Sequence, residues 1–267
     1  MQDLLIKFPH LPEQIFQKLD NESLFKCRDV AKLWQNLIDG KNYPWLRIVN
    51  IPTILKKRNT YLHLAAETGQ TQAFKTAFSE KEDQHVKNKF GQTSFHIACK
   101  NGHFQIVQLL VQSTDLEINN NKINPNAQTI LGDTALHLVC EKGHTDVFKI
   151  LLENAAYLSI DLNTANNNGL TGFHLACSHG HTDLVRIFME NAAKLSFDLN
   201  AKDNKGWTAF HIACFNGHID LVKIFMGNAV KLIFDLNGKD YTGWTACQIA
   251  CHEGHSGVVN IFMKNAA

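Results

Sequence analysis

Six stretches of this chain follow one pattern, and a pattern repeated along a chain constrains its architecture before any single element does. They read Asn59-Thr60-Tyr61-Leu62-His63-Leu64-Ala65-Ala66, Gly91-Gln92-Thr93-Ser94-Phe95-His96-Ile97-Ala98-Cys99 and Gly132-Asp133-Thr134-Ala135-Leu136-His137-Leu138-Val139-Cys140. The other three are Gly169-Leu170-Thr171-Gly172-Phe173-His174-Leu175-Ala176-Cys177, Gly206-Trp207-Thr208-Ala209-Phe210-His211-Ile212-Ala213-Cys214 and Gly243-Trp244-Thr245-Ala246-Cys247-Gln248-Ile249-Ala250-Cys251. The column His63, His96, His137, His174, His211 is spaced by 33, 41, 37 and 37 residues, and Gln248 extends it by another 37. A Gly-His pair follows in five segments: Gly102-His103, Gly143-His144, Gly180-His181, Gly217-His218 and Gly254-His255. An apolar pattern such as Phe104, Ile106, Val107, Leu109, Leu110 comes next, at a spacing that lines one helix face. The predicted unit is a helix, a Gly-bearing turn, a second helix and a loop ending in Gly at a hairpin tip. One such unit cannot bury its apolar side alone, so stacking supplies the stability.

These residues resemble ankyrin repeats, in which Thr, then Leu-His, then Ala recur within about 33 residues. The resemblance covers residues 59–267, in six repeats at about 59–87, 88–128, 129–165, 166–202, 203–239 and 240–267. It implies an all-α solenoid of helix-turn-helix repeats with β-hairpin loops, which binds other proteins and catalyses nothing. No repeat has proline after the Thr; Ser94, Ala135, Gly172, Ala209 and Ala246 stand there, so those helix starts lose a preset backbone angle. The 37-residue spacing implies a four-residue insertion after the second helix, as in Asn191 to Asn200. The 41-residue spacing implies eight extra residues within the Asn-rich stretch 119–127.

Two columns could be mistaken for chemistry. Cys99, Cys140, Cys177, Cys214 and Cys251 share one position, which Ala66 takes in the first repeat. Neighbouring helices pack about 8–10 Å apart, whereas bridged Cα atoms must lie within about 7 Å. The column therefore wants a small buried residue rather than a disulfide. His96, Cys99 and His103 look like metal ligands, yet the same trio recurs in four repeats. The resemblance gives that His a simpler role, a hydrogen bond to the Thr three residues earlier that ties neighbouring hairpins together. No paired carboxylates, phosphate-cradling Gly loop or nucleophile elbow is present. The reading is of a non-enzyme without cofactor or metal, a metal-dependent enzyme being the formal competitor.

Before the repeats the pattern changes. Leu11-Pro12-Glu13-Gln14-Ile15-Phe16-Gln17-Lys18-Leu19 precedes Leu24, Cys27, Val30, Trp34, Leu37, Ile38 and Trp45. Pro12 suits the first turn of a helix carrying Ile15, Phe16 and Leu19, and Asn21 or Ser23 suits the cap of a second. Residues 1–50 are too few for a self-sufficient core, and 51–58 read as a connector. This helical unit resembles an F-box: a Leu-Pro opening, Ile and Leu behind it, then Leu24, Val30, Trp34 and Leu37-Ile38. Here Leu-Pro to Leu24 is shorter than the usual family spacing by about one helical turn. In that family the motif docks on the Skp-type adaptor of cullin–RING ubiquitin ligases. Carried across by match, the implied adaptor contacts are Leu11, Pro12, Ile15, Leu24, Val30 and Trp34, with a cullin reached through the adaptor.

Charge sets the remaining limits. The chain has 26 basic and 25 acidic side chains, net +1. Residues 1–58 hold ten basic and six acidic, a net of +4, which leaves −3 for the rest. This balance points away from nucleic acid or an acidic membrane face as partners. No apolar run approaches the roughly 20 residues of a membrane span, and Met1 to His10 lacks the apolar core of a signal peptide. The expected location is the cytoplasm, with the nucleus as a second compartment.

In ankyrin stacks the hairpin tips and the outer ends of the first helices form the concave recognition face. By column, the tips are Lys89-Phe90, Ile130-Leu131, Asn167-Asn168, Asn204-Lys205 and Tyr241-Thr242. The C-terminal third of that face gathers Trp207, Phe215, Tyr241 and Trp244, which are the expected substrate-binding residues because exposed aromatics dominate binding hot spots. The competing role for Trp207 and Trp244 is packing on neighbouring hairpins. The leading expectation is the substrate receptor of a Skp–cullin–F-box ubiquitin ligase. The alternative is an ankyrin scaffold or inhibitor whose N-terminal helices merely cap the stack.

Overall fold

The structure, a computed structural model, describes residues 59–79, 83–112 and 123–265. The described residues form helix pairs in chain order: α1 Tyr61–Thr68 and α2 Thr71–Ser79, α3 Ser94–Lys100 and α4 Phe104–Gln112, α5 Ala135–Lys142 and α6 Thr145–Glu153 with a short α7 Ala155–Leu158. The last three pairs are α8 Gly172–Ser178 and α9 Thr182–Leu195, α10 Ala209–Phe215 and α11 Ile219–Leu232, and α12 Ala246–His252 and α13 Ser256–Asn265. Each first helix packs on the first helix of the next pair, and each second helix likewise. This is the stacked-repeat solenoid that the sequence columns predict. No helix among the described residues is long and apolar enough to cross a membrane.

The core follows from the columns. Leu62, Phe95, Leu136, Phe173 and Phe210 are buried on the first helices, and Phe74, Phe148, Phe188 and Phe225 on the second are fully buried. Their rings run as a chain between the layers: Phe148 to Phe188 at 4.6 Å, Phe188 to Phe173 at 5.2 Å, Phe173 to Phe225 at 5.9 Å and Phe225 to Phe210 at 5.3 Å. Removing one such ring to Ala costs about 3–5 kcal/mol.

Six side chains cap the first helices. Thr60, Thr93, Thr134, Thr171, Thr208 and Thr245 are the N-caps, and each pairs with the residue three positions on in a capping box. His96 shows the logic: its Nδ1 accepts from the Thr93 amide at 3.2 Å and from the Thr93 hydroxyl at 2.8 Å. A nitrogen that accepts from an amide is unprotonated, so the proton sits on Nε2. Nε2–H then donates to the Ala127 carbonyl at 2.8 Å. The same forward bond joins His63 to Gln92, His137 to Leu170, His174 to Trp207 and His211 to Gly238.

A second histidine column points backward. Nε2 of His103, His144, His181, His218 and His255 reaches the carbonyl of Glu67, Lys100, Glu141, Ser178 and Phe215 respectively, at 2.8–3.3 Å. Each ring lies against the turn glycine of the preceding pair. A Cβ on Gly102, whose φ is +70°, would sit 2.6 Å from the Nδ1 of His144. Each internal repeat is thus bolted to both neighbours by imidazoles.

The insertion expected after the second helix takes a different form. It lengthens the helix: α9 and α11 run for 14 residues, against 9 for α4. In α9 the buried stripe runs on to Ala192, whereas the added turn of α11 is largely exposed, with Val230 at 95%. The lengthened helices end in left-handed residues, Ser196 and Ile233, and α7 ends likewise on Ser159. Most of the eight-residue insertion in 119–127 lies outside the described residues.

Candidate protein-binding surface

The loops between repeats end in tight turns, which we call fingers. In each, the amide of the tip glycine donates to the carbonyl three residues back: Gly91 to Asn88, Gly132 to Thr129, Gly169 to Asn166, Gly206 to Asp203 and Gly243 to Asp240. The side chain at that earlier position accepts two further turn amides; Asp240 Oδ1 takes those of Thr242 and Trp244 at 2.8 and 2.9 Å. Neighbouring fingers are joined edge to edge, Ile130 N to Phe90 O, Asn167 N to Leu131 O, Asn204 N to Asn168 O and Tyr241 N to Lys205 O, all at 3.1 Å. These are hairpin turns without strands: among the described residues a single antiparallel bridge, Lys239 to Thr245, is formed.

All four aromatics expected to bind substrate line one depression of about 360 Å³ between the last two repeats. Lys205, Asp240, Ile249, His252 and Glu253 are among the other residues of its walls. Tyr241 is 71% exposed, Trp244 41% and Phe215 38%. The Trp207 and Phe215 rings are tilted at 5.0 Å, and the His252 ring meets Trp244 edge-on at 5.3 Å.

Trp207 takes the packing role weighed for it and also lines the depression. It is half-buried, and its indole N–H donates to Asp240 Oδ2 at 3.0 Å, tying the fifth finger to the sixth. Burial opposes ionisation of Asp240. The hydrogen bonds from the Thr242 hydroxyl, the Trp244 amide, the Trp207 indole and the Thr242 amide outweigh it and hold the carboxyl down at about 2. Asp240 therefore stays a carboxylate near neutrality. Sequence reasoning did not single it out, although Asn88, Thr129, Asn166, Asp203 and Asp240 all stand three residues before a tip glycine, where a side-chain acceptor closes a turn.

The metal-like trio is fully engaged elsewhere. His96 and His103 make the inter-repeat bonds described above, and Cys99 is buried with its thiol pushed well above the usual range by desolvation. Among the described residues no group of three or more His, Cys, Asp and Glu side chains is placed to hold a metal ion. Cys99, Cys140, Cys177 and Cys214 are buried free thiols, as the column predicts, but Cys251 is exposed. No described residue covers its side of α12. Leu11, Pro12, Ile15, Leu24, Val30 and Trp34 lie outside the described residues.

Stacked helix pairs joined by hydrogen-bonded fingers, with exposed aromatics between two of them, define a helical-repeat recognition protein. The family model for ankyrin repeats (3 copies) matches residues 62–160, 116–197, 155–233 and 192–267, and the chain belongs to the ankyrin-repeat family. A search of curated proteins finds no match.

Proposed function

We propose that this chain is the substrate-recognition subunit of a Skp–cullin–F-box ubiquitin ligase. Ankyrin repeats serve protein–protein interaction, and the observation that carries the substrate-holding half is the joint exposure of Phe215, Tyr241 and Trp244 in one depression. Large aromatics exposed together are the usual anchors of a protein interface. The adaptor-holding half rests on the F-box-like motif, with Leu11, Pro12, Ile15, Leu24, Val30 and Trp34 as its contacts. The chain would act by proximity: one end holds the ligase, the other the substrate, and transfer between them becomes effectively intramolecular. No residue of the chain enters the chemistry, and the expected site of action is the cytoplasm and the nucleus.

Binding of the full chain to a purified Skp-type adaptor tests this reading. We expect micromolar or tighter affinity, lost in a Leu11→Ala/Pro12→Ala variant whose repeats melt as in the parent. Absence of binding by the intact chain replaces the ligase receptor with an ankyrin scaffold or inhibitor.

A further inference from the structure

The finger turns sort their charges by side. Segments 87–92, 128–133, 165–170, 202–207 and 239–244 contain five lysines, Lys87, Lys89, Lys202, Lys205 and Lys239, and all five are exposed. The same segments contain three carboxylates, of which two face the turns and the third bonds the next finger. Asp203 and Asp240 are 8% and 9% exposed, and each gives its Oδ1 to two turn amides. Asp133 is half-buried and accepts from the Asn166 amide at 2.7 Å. Solvent along this row therefore meets ammonium groups. The chain's net charge is only +1, so the sign of the row comes from placement rather than composition.

The amines remain able to bind. Lys202 Nζ donates to the Lys239 carbonyl at 3.0 Å and Lys87 Nζ to the Gln128 carbonyl at 2.8 Å, one bond each from a group with three donors. Lys205 Nζ lies 5.2 Å from the Trp207 ring centre, at the wall of the aromatic depression. An acid, Glu253, also lines the depression and pairs with the His252 ring at 2.9 Å. Apolar groups share the row with these cations: Phe90, Ile130 and Leu131 are 39%, 63% and 64% exposed on two adjacent fingers, and Tyr241 and Trp244 lie on the last.

We propose that the finger row docks an extended acidic protein segment, with a large apolar side chain seated among Phe215, Tyr241 and Trp244 and carboxylates paired to Lys202, Lys205 and Lys239. This rests on the reading of that face as the substrate-holding side and narrows the substrate to an acidic class. The charge pairing supplies partner selection and salt dependence, and the aromatic seat supplies most of the affinity.

Fluorescence anisotropy with the full chain tests it, using a short fluorescein-labelled peptide of glutamates interrupted by phenylalanines. The comparison probes are the same peptide with lysines for glutamates and a single-stranded RNA of equal length. The acidic peptide should bind about tenfold tighter than the basic one, and weaken as salt rises from about 0.05 to about 0.3 M. A Lys202→Gln/Lys205→Gln/Lys239→Gln variant and, separately, Trp244→Ala should each lose about tenfold, with unchanged thermal melting. Equal or tighter binding of the basic peptide, lysine-dependent binding of the RNA instead, or no binding of any probe overturns the proposal. If the acidic preference fails while adaptor binding persists, this proposal falls and the ligase reading stands. Loss of adaptor binding with the acidic preference intact removes the ligase reading alone.

Discussion

The fifth and sixth repeats are written in nearly the same residues and present them differently. Trp207 and Trp244 share a column, as do His211 and Gln248, and Cys214 and Cys251. In the fifth repeat the indole is bonded to the next finger, the imidazole donates to Gly238, and the thiol is fully buried. In the sixth, Trp244 and Gln248 are exposed, and so is the thiol. Gln248 still closes its capping box, accepting from the Thr245 amide at 2.9 Å. Among the described residues it has no forward partner like the carbonyl that His211 reaches. A residue in this fold is structural or available according to whether another repeat covers it, and its type alone does not decide.

The comparison breaks most widely under acid. Burial pushes His63, His96, His137, His174 and His211 below their ordinary value, with His96 falling to about 4. A folded pKa below the unfolded one means the unfolded chain takes up protons first, so stability is full above about 6.5 and declines as pH falls toward 4. His96 alone removes about 2 kcal/mol at pH 5, and the other four add in the same direction, whereas Gln248 adds nothing. Denaturant midpoints at pH 7 and pH 5 check this; a flat profile contradicts it. Next in size, His211→Ala leaves the buried Thr208 amide without its acceptor and cuts the bond to Gly238, for a loss of about 3 kcal/mol. The exposed counterpart Gln248→Ala should cost about 1 kcal/mol, as an ordinary lost cap. Equal losses in the two denaturant titrations would erase the distinction.

Smaller effects sharpen it. Trp207→Phe removes a donor to the buried Asp240 carboxylate and should cost about 1.5 kcal/mol, while Trp244→Phe should stay within about 0.5 kcal/mol. Thermal melts of the two variants separate the roles. A change of opposite sign concerns the column Ser159, Ser196 and Ile233, all left-handed at φ 53–55°. A β-branched residue is strained there, and Ile233 is 81% exposed, so little burial is lost on replacing it. Ile233→Gly should raise stability by about 1 kcal/mol, where Gly at an ordinary helical position would lower it; a lower melting temperature would contradict the assignment.

Most of the architecture is legible in the sequence because it is written six times. The Thr-His column gives the capping boxes and the forward bonds, and the Cys column gives four buried thiols. The columns place the four aromatics on one surface, and they line one depression. What a single column cannot show is what stands opposite it. The backward bonds of His103, His144, His181, His218 and His255 join residues 36–44 positions apart. Nothing in a Gly-His pair names the carbonyl it reaches. The exposure of Cys251 has the same origin, as does the inward turn of Asp203 and Asp240 that leaves the lysines outward. The lengthening of α9 and α11 is legible only as extra residues, because the added turns bury little: Ala192 in α9, and no residue after Phe225 in α11.

The most direct test of coverage as the deciding factor is the alkylation rate of individual cysteines in the native chain, followed by mass spectrometry at mildly alkaline pH. Cys214 and Cys251 occupy one column and differ in what lies over them. Cys251 should react faster by on the order of 100-fold, with Cys99, Cys140, Cys177 and Cys214 modified only as the stack opens. Comparable rates for Cys214 and Cys251 in the folded protein would contradict the account.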